Sequence, residues 1–129
     1  MTMKLIDLTA FYGAILTLLY IALAINVIRM RFKHQVGLGD LGKIEVLKAI
    51  RIHGNFAEYI PLALLLMAFY EVNGGSEQWL HGFGIALIIS RVLHAIGLSK
   101  SYKTSLPRAG GTLLLFGVLI TLSVTLLIS

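Results

Sequence analysis

The chain has 129 residues, of which 57% are hydrophobic and only 13% charged, against about 25% charged residues in an ordinary soluble domain. With a mean hydropathy of +0.87, this composition argues against a soluble globule, because so short a chain cannot hide that much aliphatic surface from water. Cysteine is absent, which excludes disulfides, thiolate metal sites and a thiol nucleophile supplied by the protein.

The first predicted helix covers about residues 6–31, because residues 8–28 carry no charge. A cleaved signal peptide is an alternative, since residues 22–24 (Ala-Leu-Ala) resemble a cleavage site. The apolar run is longer than a signal core, however, and it is followed by basic residues that suit a stop-transfer flank.

The remaining apolar runs predict three further helices. The second is expected over residues 44–73 and the third over residues 77–98, after a turn in which Ser76 is a suitable N-cap. The fourth is expected over residues 107–128, with Pro107 in its first turn, where the missing N–H costs nothing.

Each run has roughly the 20 residues that a helix needs to cross about 30 Å of hydrocarbon. Residues 1–129 are therefore predicted to form a single all-α domain, an integral membrane four-helix bundle with up-down topology. Ten of the eleven Lys and Arg residues lie within 29–51 and 91–108, at the ends of apolar runs, which argues against nucleic-acid binding. This asymmetry places the first and third loops in the cytoplasm and both termini on the opposite side.

Polar residues form a stripe on the second helix. Arg51, Asn55 and Glu58 recur at i, i+4 and i+7, which places them within an arc of about 60°. Tyr59 lies beside this stripe, and His53 points to the opposite side of the helix. Because a charge near the bilayer centre costs at least about 2.5 kcal/mol, we expect the stripe to face protein or a water-filled cavity.

Further cations are expected near the same membrane face. Arg91 and His94 are i, i+3 neighbours on the third helix, and Arg29 and Arg108 flank the first and fourth helices. Flanking arginines taken alone are ordinary interface anchors, and a buried ion pair could simply hold helices together. Four arginines around one buried carboxylate, Glu58, nevertheless leave an excess of positive charge that calls for an anionic partner.

The segment from Arg51 to Pro61 reads Arg-Ile-His-Gly-Asn-Phe-Ala-Glu-Tyr-Ile-Pro. It resembles the signature of the family of membrane-associated proteins in eicosanoid and glutathione metabolism, Arg-x-x-x-Asn-x-x-Glu followed by an aromatic residue and a proline. The order and spacing of the four apolar runs match over nearly the whole chain, and Arg91 with His94 matches the prostaglandin synthase branch. Residues 49–66 look most like the small bacterial members, so the expected location is a bacterial inner membrane.

The resemblance implies a homotrimer in the lipid bilayer, with glutathione as a co-substrate held at each subunit boundary near the cytosolic face and no metal. Eight residues match glutathione-binding positions: Arg29, Arg51, His53, Asn55, Glu58, Tyr59, Arg91 and His94. His53 would reach the ligand of the neighbouring subunit. Arg108 matches the arginine beside the thiol and is the expected catalytic residue, because a free thiol has a pKa of about 8.5 that an adjacent guanidinium lowers.

The function implied by the resemblance is a glutathione transferase or peroxidase acting on a lipophilic electrophile or a lipid hydroperoxide that arrives through the bilayer. Leu98 stands where several eukaryotic members have a tyrosine, and Ala109 where the prostaglandin synthase has a serine. A general activity is therefore expected rather than specialised eicosanoid synthesis. Two alternatives stay open: a small proton-coupled transporter that uses Glu58, and a glutathione-binding membrane protein without turnover.

Overall fold

A computed structural model describes residues 5–100 and 105–129. Four helices account for nearly all of them: α1 (Asp7–His34), α2 (Ile44–Val72), α3 (Glu77–Lys100) and α4 (Leu106–Ile128). The described residues contain no strand, so the all-α prediction is confirmed. All four helices are long and apolar enough to cross a membrane.

Two helices extend beyond their predicted ends. α1 continues three residues further, to His34, because basic side chains in its last turn suit the negative end of the helix dipole. It stops where Gln35 adopts a left-handed conformation with φ of 56°, and the Gln35 N–H donates to the Phe32 carbonyl at 3.3 Å. α3 continues two residues further, to Lys100.

The two central helices are α2 and α3, each of which contacts all three other helices. α1 and α4 flank this pair and do not contact each other within the described parts of the chain. The bundle has two distinct ends. The basic end carries the loop of residues 35–43 and the start of α4, and the turn end carries residues 73–76 and the start of α1.

The main core is an apolar cluster to which every helix contributes. Its buried members are Tyr12, Leu16, Phe56, Ile60, Ala63, Met67, Leu80, Phe83, Leu87, Leu115, Val118 and Leu122. Large aliphatic side chains also cover the outside, where Leu18, Ile25 and Ile120 are among the exposed residues. This outer surface suits lipid, since lipid tails are as apolar as these side chains.

The start of α1 is held by a residue of another helix. Ile6 stands at the N-cap position, and α1 has no side-chain cap of its own. Instead, the Glu71 carboxylate of α2 accepts the backbone N–H groups of Leu8 and Thr9, both at 2.8 Å. This contact satisfies two of the donors that every helix start leaves unpaired, and it fastens α1 to α2 at the turn end.

The starts of α3 and α4 use local caps. Ser76 accepts the Trp79 N–H at 3.5 Å, which confirms its predicted position as the cap of α3. In α4, Pro107 is the second helical residue and Ser105 is the N-cap, whose hydroxyl accepts the Arg108 N–H at 3.4 Å. The Ser105 cap therefore fixes the backbone of Arg108 at the basic end of the bundle.

Candidate active site

The polar stripe of α2 lies partly on the outer surface of the chain. Arg51 and Glu58 form an ion pair with 3.3 Å between Nη2 and Oε1, and their side chains are 48% and 55% exposed. The sequence predicts that these charges face protein or a water-filled cavity, but a single chain encloses neither of them. Another molecule has to cover this pair if it is to be shielded from lipid.

The inner half of the stripe connects to α3. Arg91 and His94 are only 2% and 4% exposed. The Arg91 Nη1 donates to the amide oxygen of Asn55, and its Nε donates to the Ser90 hydroxyl at 3.1 Å. Asn55 is half-buried and therefore links the exposed ion pair to the buried arginine.

α4 approaches α3 closely at two glycines, and this approach places Arg108. A Cβ atom added at Gly97 would lie 2.5 Å from the Arg108 backbone nitrogen, and one added at Gly111 would lie 2.6 Å from the Ser90 carbonyl oxygen. A side chain at either position would collide with the neighbouring backbone, so both positions require glycine. Small residues allow close approach at other membrane helix interfaces in the same way. The two helix backbones therefore bring Arg108 to the same end of the bundle as His94.

These side chains form one group, here called the arginine cluster: Arg51, Asn55, Glu58, Arg91, His94 and Arg108. Its three guanidinium groups all lie within electrostatic range of the buried His94 imidazole. Against these three positive charges the cluster holds one carboxylate, so its net charge is positive. Such a site favours an anionic ligand.

Tyr59 of α2 lies next to the arginine cluster and packs on α4, whereas two other predicted site residues, His53 and Arg29, lie apart from the cluster. The Tyr59 ring packs against Phe116 with centroids 5.7 Å apart and is within electrostatic range of Arg91. His53 packs instead against Tyr20 of α1, with centroids 4.7 Å apart. Arg29 lies on α1, where it donates to the Asn26 side chain at 2.8 Å. Among the described residues, neither His53 nor Arg29 bonds to the arginine cluster of its own chain.

Sequence reasoning missed the residues that support the cluster from behind. Ser90 is fully buried, and its hydroxyl donates to the Leu87 carbonyl at 3.0 Å while accepting from Arg91. Gly97 and Gly111 provide the close helix contact described above. The available signal was their small size near the polar residues of α3 and α4, but size alone does not reveal a contact between residues of different helices.

Two further observations bear on the chemistry of the site. In the described part of the chain, no group of three His, Asp or Glu side chains is placed to hold a metal ion. An apolar groove of about 430 Å³ also opens between α1 and α2, lined by residues that include Tyr20, Phe56 and Pro61. Since Tyr20 packs on His53, the groove adjoins the face of α2 opposite the arginine cluster.

The chain resembles known proteins along most of its length. Residues 9–128 match the family described as the MAPEG family. The inner membrane protein YecN of Escherichia coli strain K12 is 42% identical over 89 residues, which cover 69% of this chain and 68% of YecN. YecN of Escherichia coli O6:H1 matches with the same values. The name YecN carries a location and no activity, and no solved structure matches this chain.

Proposed function

The chain belongs to the MAPEG family as a multi-pass inner membrane protein, and on that premise we propose that it is a glutathione transferase or peroxidase. The observation that carries this proposal is the charge balance of the arginine cluster, in which three guanidinium groups accompany one carboxylate. Among the anions that suit such a cluster, the family favours glutathione, because its members include glutathione transferases.

Glutathione matches the cluster group by group. It has two carboxylates, which suit guanidinium groups, and one ammonium, which suits the Glu58 carboxylate. Because Arg51 and Glu58 are both about half exposed, a ligand on the surface of the chain can reach them. Asn55 lies between them in sequence and on the same face of α2.

The reaction needs a thiolate, and the chain has no cysteine of its own. In the proposed mechanism, Arg108 lies beside the glutathione sulfur and favours its deprotonated form. The thiolate lone pair then attacks an electrophilic carbon, forming a sulfur–carbon bond as the leaving group departs with its electron pair. With a hydroperoxide the thiolate attacks the terminal oxygen and the O–O bond breaks, which yields a sulfenic acid and an alkoxide that takes up the proton released from the thiol to become an alcohol. A second glutathione then reacts with the sulfenic acid to give the disulfide and water.

The lipophilic partner reaches the site through the membrane. The groove between α1 and α2 is lined mainly by apolar side chains, and it lies on helices that cross the bilayer. A hydrocarbon substrate needs no aqueous entrance to such a groove. Because the groove adjoins the face of α2 opposite the arginine cluster of its own chain, we propose that it brings a lipophilic electrophile or a lipid hydroperoxide to the site of a neighbouring chain.

A homotrimer completes the proposed site. The exposed Arg51–Glu58 pair needs a cover at hydrocarbon depth, and a neighbouring chain provides one. His53 and Arg29 lie apart from the cluster of their own chain, so they contribute to glutathione binding from the neighbour. Each site then combines α2, α3 and α4 of one subunit with α1 and α2 of the next.

Thiolate formation tests the proposal. Purified protein in detergent is mixed with glutathione, and the ultraviolet absorbance of the thiolate is measured for wild type, Arg108→Ala and Lys33→Ala. We expect thiolate with wild type and with Lys33→Ala, which removes an exposed cation outside the cluster, and none with Arg108→Ala. Absence of thiolate in the wild type, or an Arg108→Ala variant equal to it, would contradict the mechanism.

A further inference from the structure

Arg91 is the most buried charged residue of the arginine cluster, with 2% of its surface exposed. The ion pair of Arg51 and Glu58 lies on the outer surface, whereas the Arg91 guanidinium lies inside the bundle. Building on the proposed function, we propose that Arg91 is a positioning residue: it acts on glutathione through Asn55 and does not contact the ligand itself.

The hydrogen bond between Arg91 and Asn55 has only one possible polarity. A guanidinium has five N–H donors and no acceptor, so the Asn55 atom that faces Arg91 must be the amide oxygen. The amide NH₂ of Asn55 consequently does not bond to Arg91 and stays available to another acceptor. Arg91 thereby fixes Asn55 as a donor for a carboxylate or peptide carbonyl of the ligand.

The guanidinium is held on a second side, which keeps this orientation fixed. Its Nε donates to the Ser90 hydroxyl at 3.1 Å, and Ser90 has no exposed surface. The backbone of α4 closes the space behind Ser90, because the Ser90 carbonyl faces Gly111. Two hydrogen bonds therefore hold the Arg91 guanidinium inside the bundle, away from the exposed ion pair of Arg51 and Glu58.

The bonding of Arg91 is too poor for it to serve mainly as a structural link. Its Nη2 is buried without an acceptor in the described part of the chain, and a buried charge with an unpaired N–H opposes folding. Hydrophobic residues of similar volume often replace buried ionic groups without loss of stability. The presentation of Asn55 explains a costly guanidinium at this position, whereas packing does not.

A double-mutant cycle on glutathione affinity separates positioning from direct contact. Affinity is measured by titration calorimetry for wild type, Arg91→Met, Asn55→Ala and the double variant. We expect each single variant to bind about tenfold more weakly, the effect of one hydrogen bond to a charged group, and the double variant to bind no more weakly than Asn55→Ala. Losses that multiply would show that Arg91 contacts glutathione and would overturn the inference.

Asn55→Asp distinguishes presentation of a donor from simple attachment of α2 to α3. The new carboxylate pairs with Arg91 and keeps the helices attached, but it offers no donor to the ligand. We expect a thermal unfolding midpoint at least equal to that of the wild type and glutathione binding at least about tenfold weaker. An Asn55→Asp variant that binds as well as wild type overturns the inference, whereas a wild type that binds no glutathione overturns the proposed function.

Discussion

The direction in which each polar side chain points divides the residues of the arginine cluster by role. Arg51 and Glu58 face outward and are available to a ligand. Arg91 and His94 face inward, where they set the electrostatic field and the orientation of neighbouring groups. Asn55 lies at the boundary, half-buried and bonded to Arg91, and in our proposal the buried arginine acts on the ligand through it.

Glu58→Gln tests the role of the single carboxylate. Replacing it removes the partner of the glutathione ammonium while keeping the size of the side chain, so we expect glutathione affinity to fall about tenfold or more. The measurement is titration calorimetry, with Glu45→Gln as the control because Glu45 is exposed in the first turn of α2. Unchanged affinity, together with substrate-driven proton flux in vesicles that Glu58→Gln abolishes, would favour the transporter.

At the scale of helices, the site depends on contacts that bring distant parts of the chain together. α3 and α4 approach closely through Gly97 and Gly111, and this approach sets the distance between Arg108 and the buried residues of α3. α1 and α2 are fastened at the turn end by Glu71. α3 and α4 are therefore packed closely near Arg108, and α1 and α2 are joined at the turn end.

Gly97→Ala is expected to disturb the site without changing any of its polar side chains. The added Cβ would lie 2.5 Å from the Arg108 backbone nitrogen, so α4 has to move and Arg108 moves with it. We expect a lower thermal midpoint and loss of glutathione thiolate absorbance. The control is Gly117→Ala, where an added Cβ meets no atom within 4 Å; equal thiolate formation in the two variants would refute this account.

For the whole molecule, the surface has two parts with different requirements. Most of it is aliphatic and suits lipid, but the Arg51–Glu58 pair is charged and about half exposed on a helix long and apolar enough to cross a membrane. Burying this face against a neighbouring chain removes the conflict. In the proposed trimer, the site is therefore complete only after the chains have assembled.

Mixed assemblies test whether a site is shared between chains. If His53 serves the cluster of a neighbour, His53→Ala and Arg108→Ala subunits in one trimer can combine to form a site that has both residues intact. We expect co-expressed subunits to show more glutathione transferase activity than either variant alone, measured with a lipophilic electrophile. Activity no greater than that of the separately purified variants would place each site within one chain.

Membrane orientation can be tested directly because the chain has no cysteine. Gly37→Cys lies in the basic loop, where an added Cβ meets no atom within 4 Å, and Asn73→Cys lies in the exposed turn at the other end. The excess of Lys and Arg predicts that an impermeant maleimide labels Asn73→Cys in spheroplasts and Gly37→Cys in inverted vesicles. The opposite labelling would reverse the predicted orientation.

The sequence by itself determined four membrane-spanning helices and the polar stripe on the second. Composition and run length were sufficient for the helices, because a chain in lipid has to satisfy its backbone hydrogen bonds within each segment. The i, i+4, i+7 spacing of Arg51, Asn55 and Glu58 was sufficient for the stripe, because helical periodicity follows from local geometry alone. α1 and α3 end three and two residues beyond the predicted positions, because helix ends fray and the sequence marks the last helical residue only weakly.

Only the tertiary structure decided which side of the stripe is buried and what supports it. Three contacts join residues far apart in the sequence: the bond of Arg91 to Asn55, the capping of α1 by Glu71, and the contact of Gly97 with Arg108. The burial of Arg91 follows from the same packing. Each depends on how a helix is rotated about its axis and how closely it approaches its neighbour. Those variables are set by the packing of all four helices together, which the periodicity of any single helix does not specify.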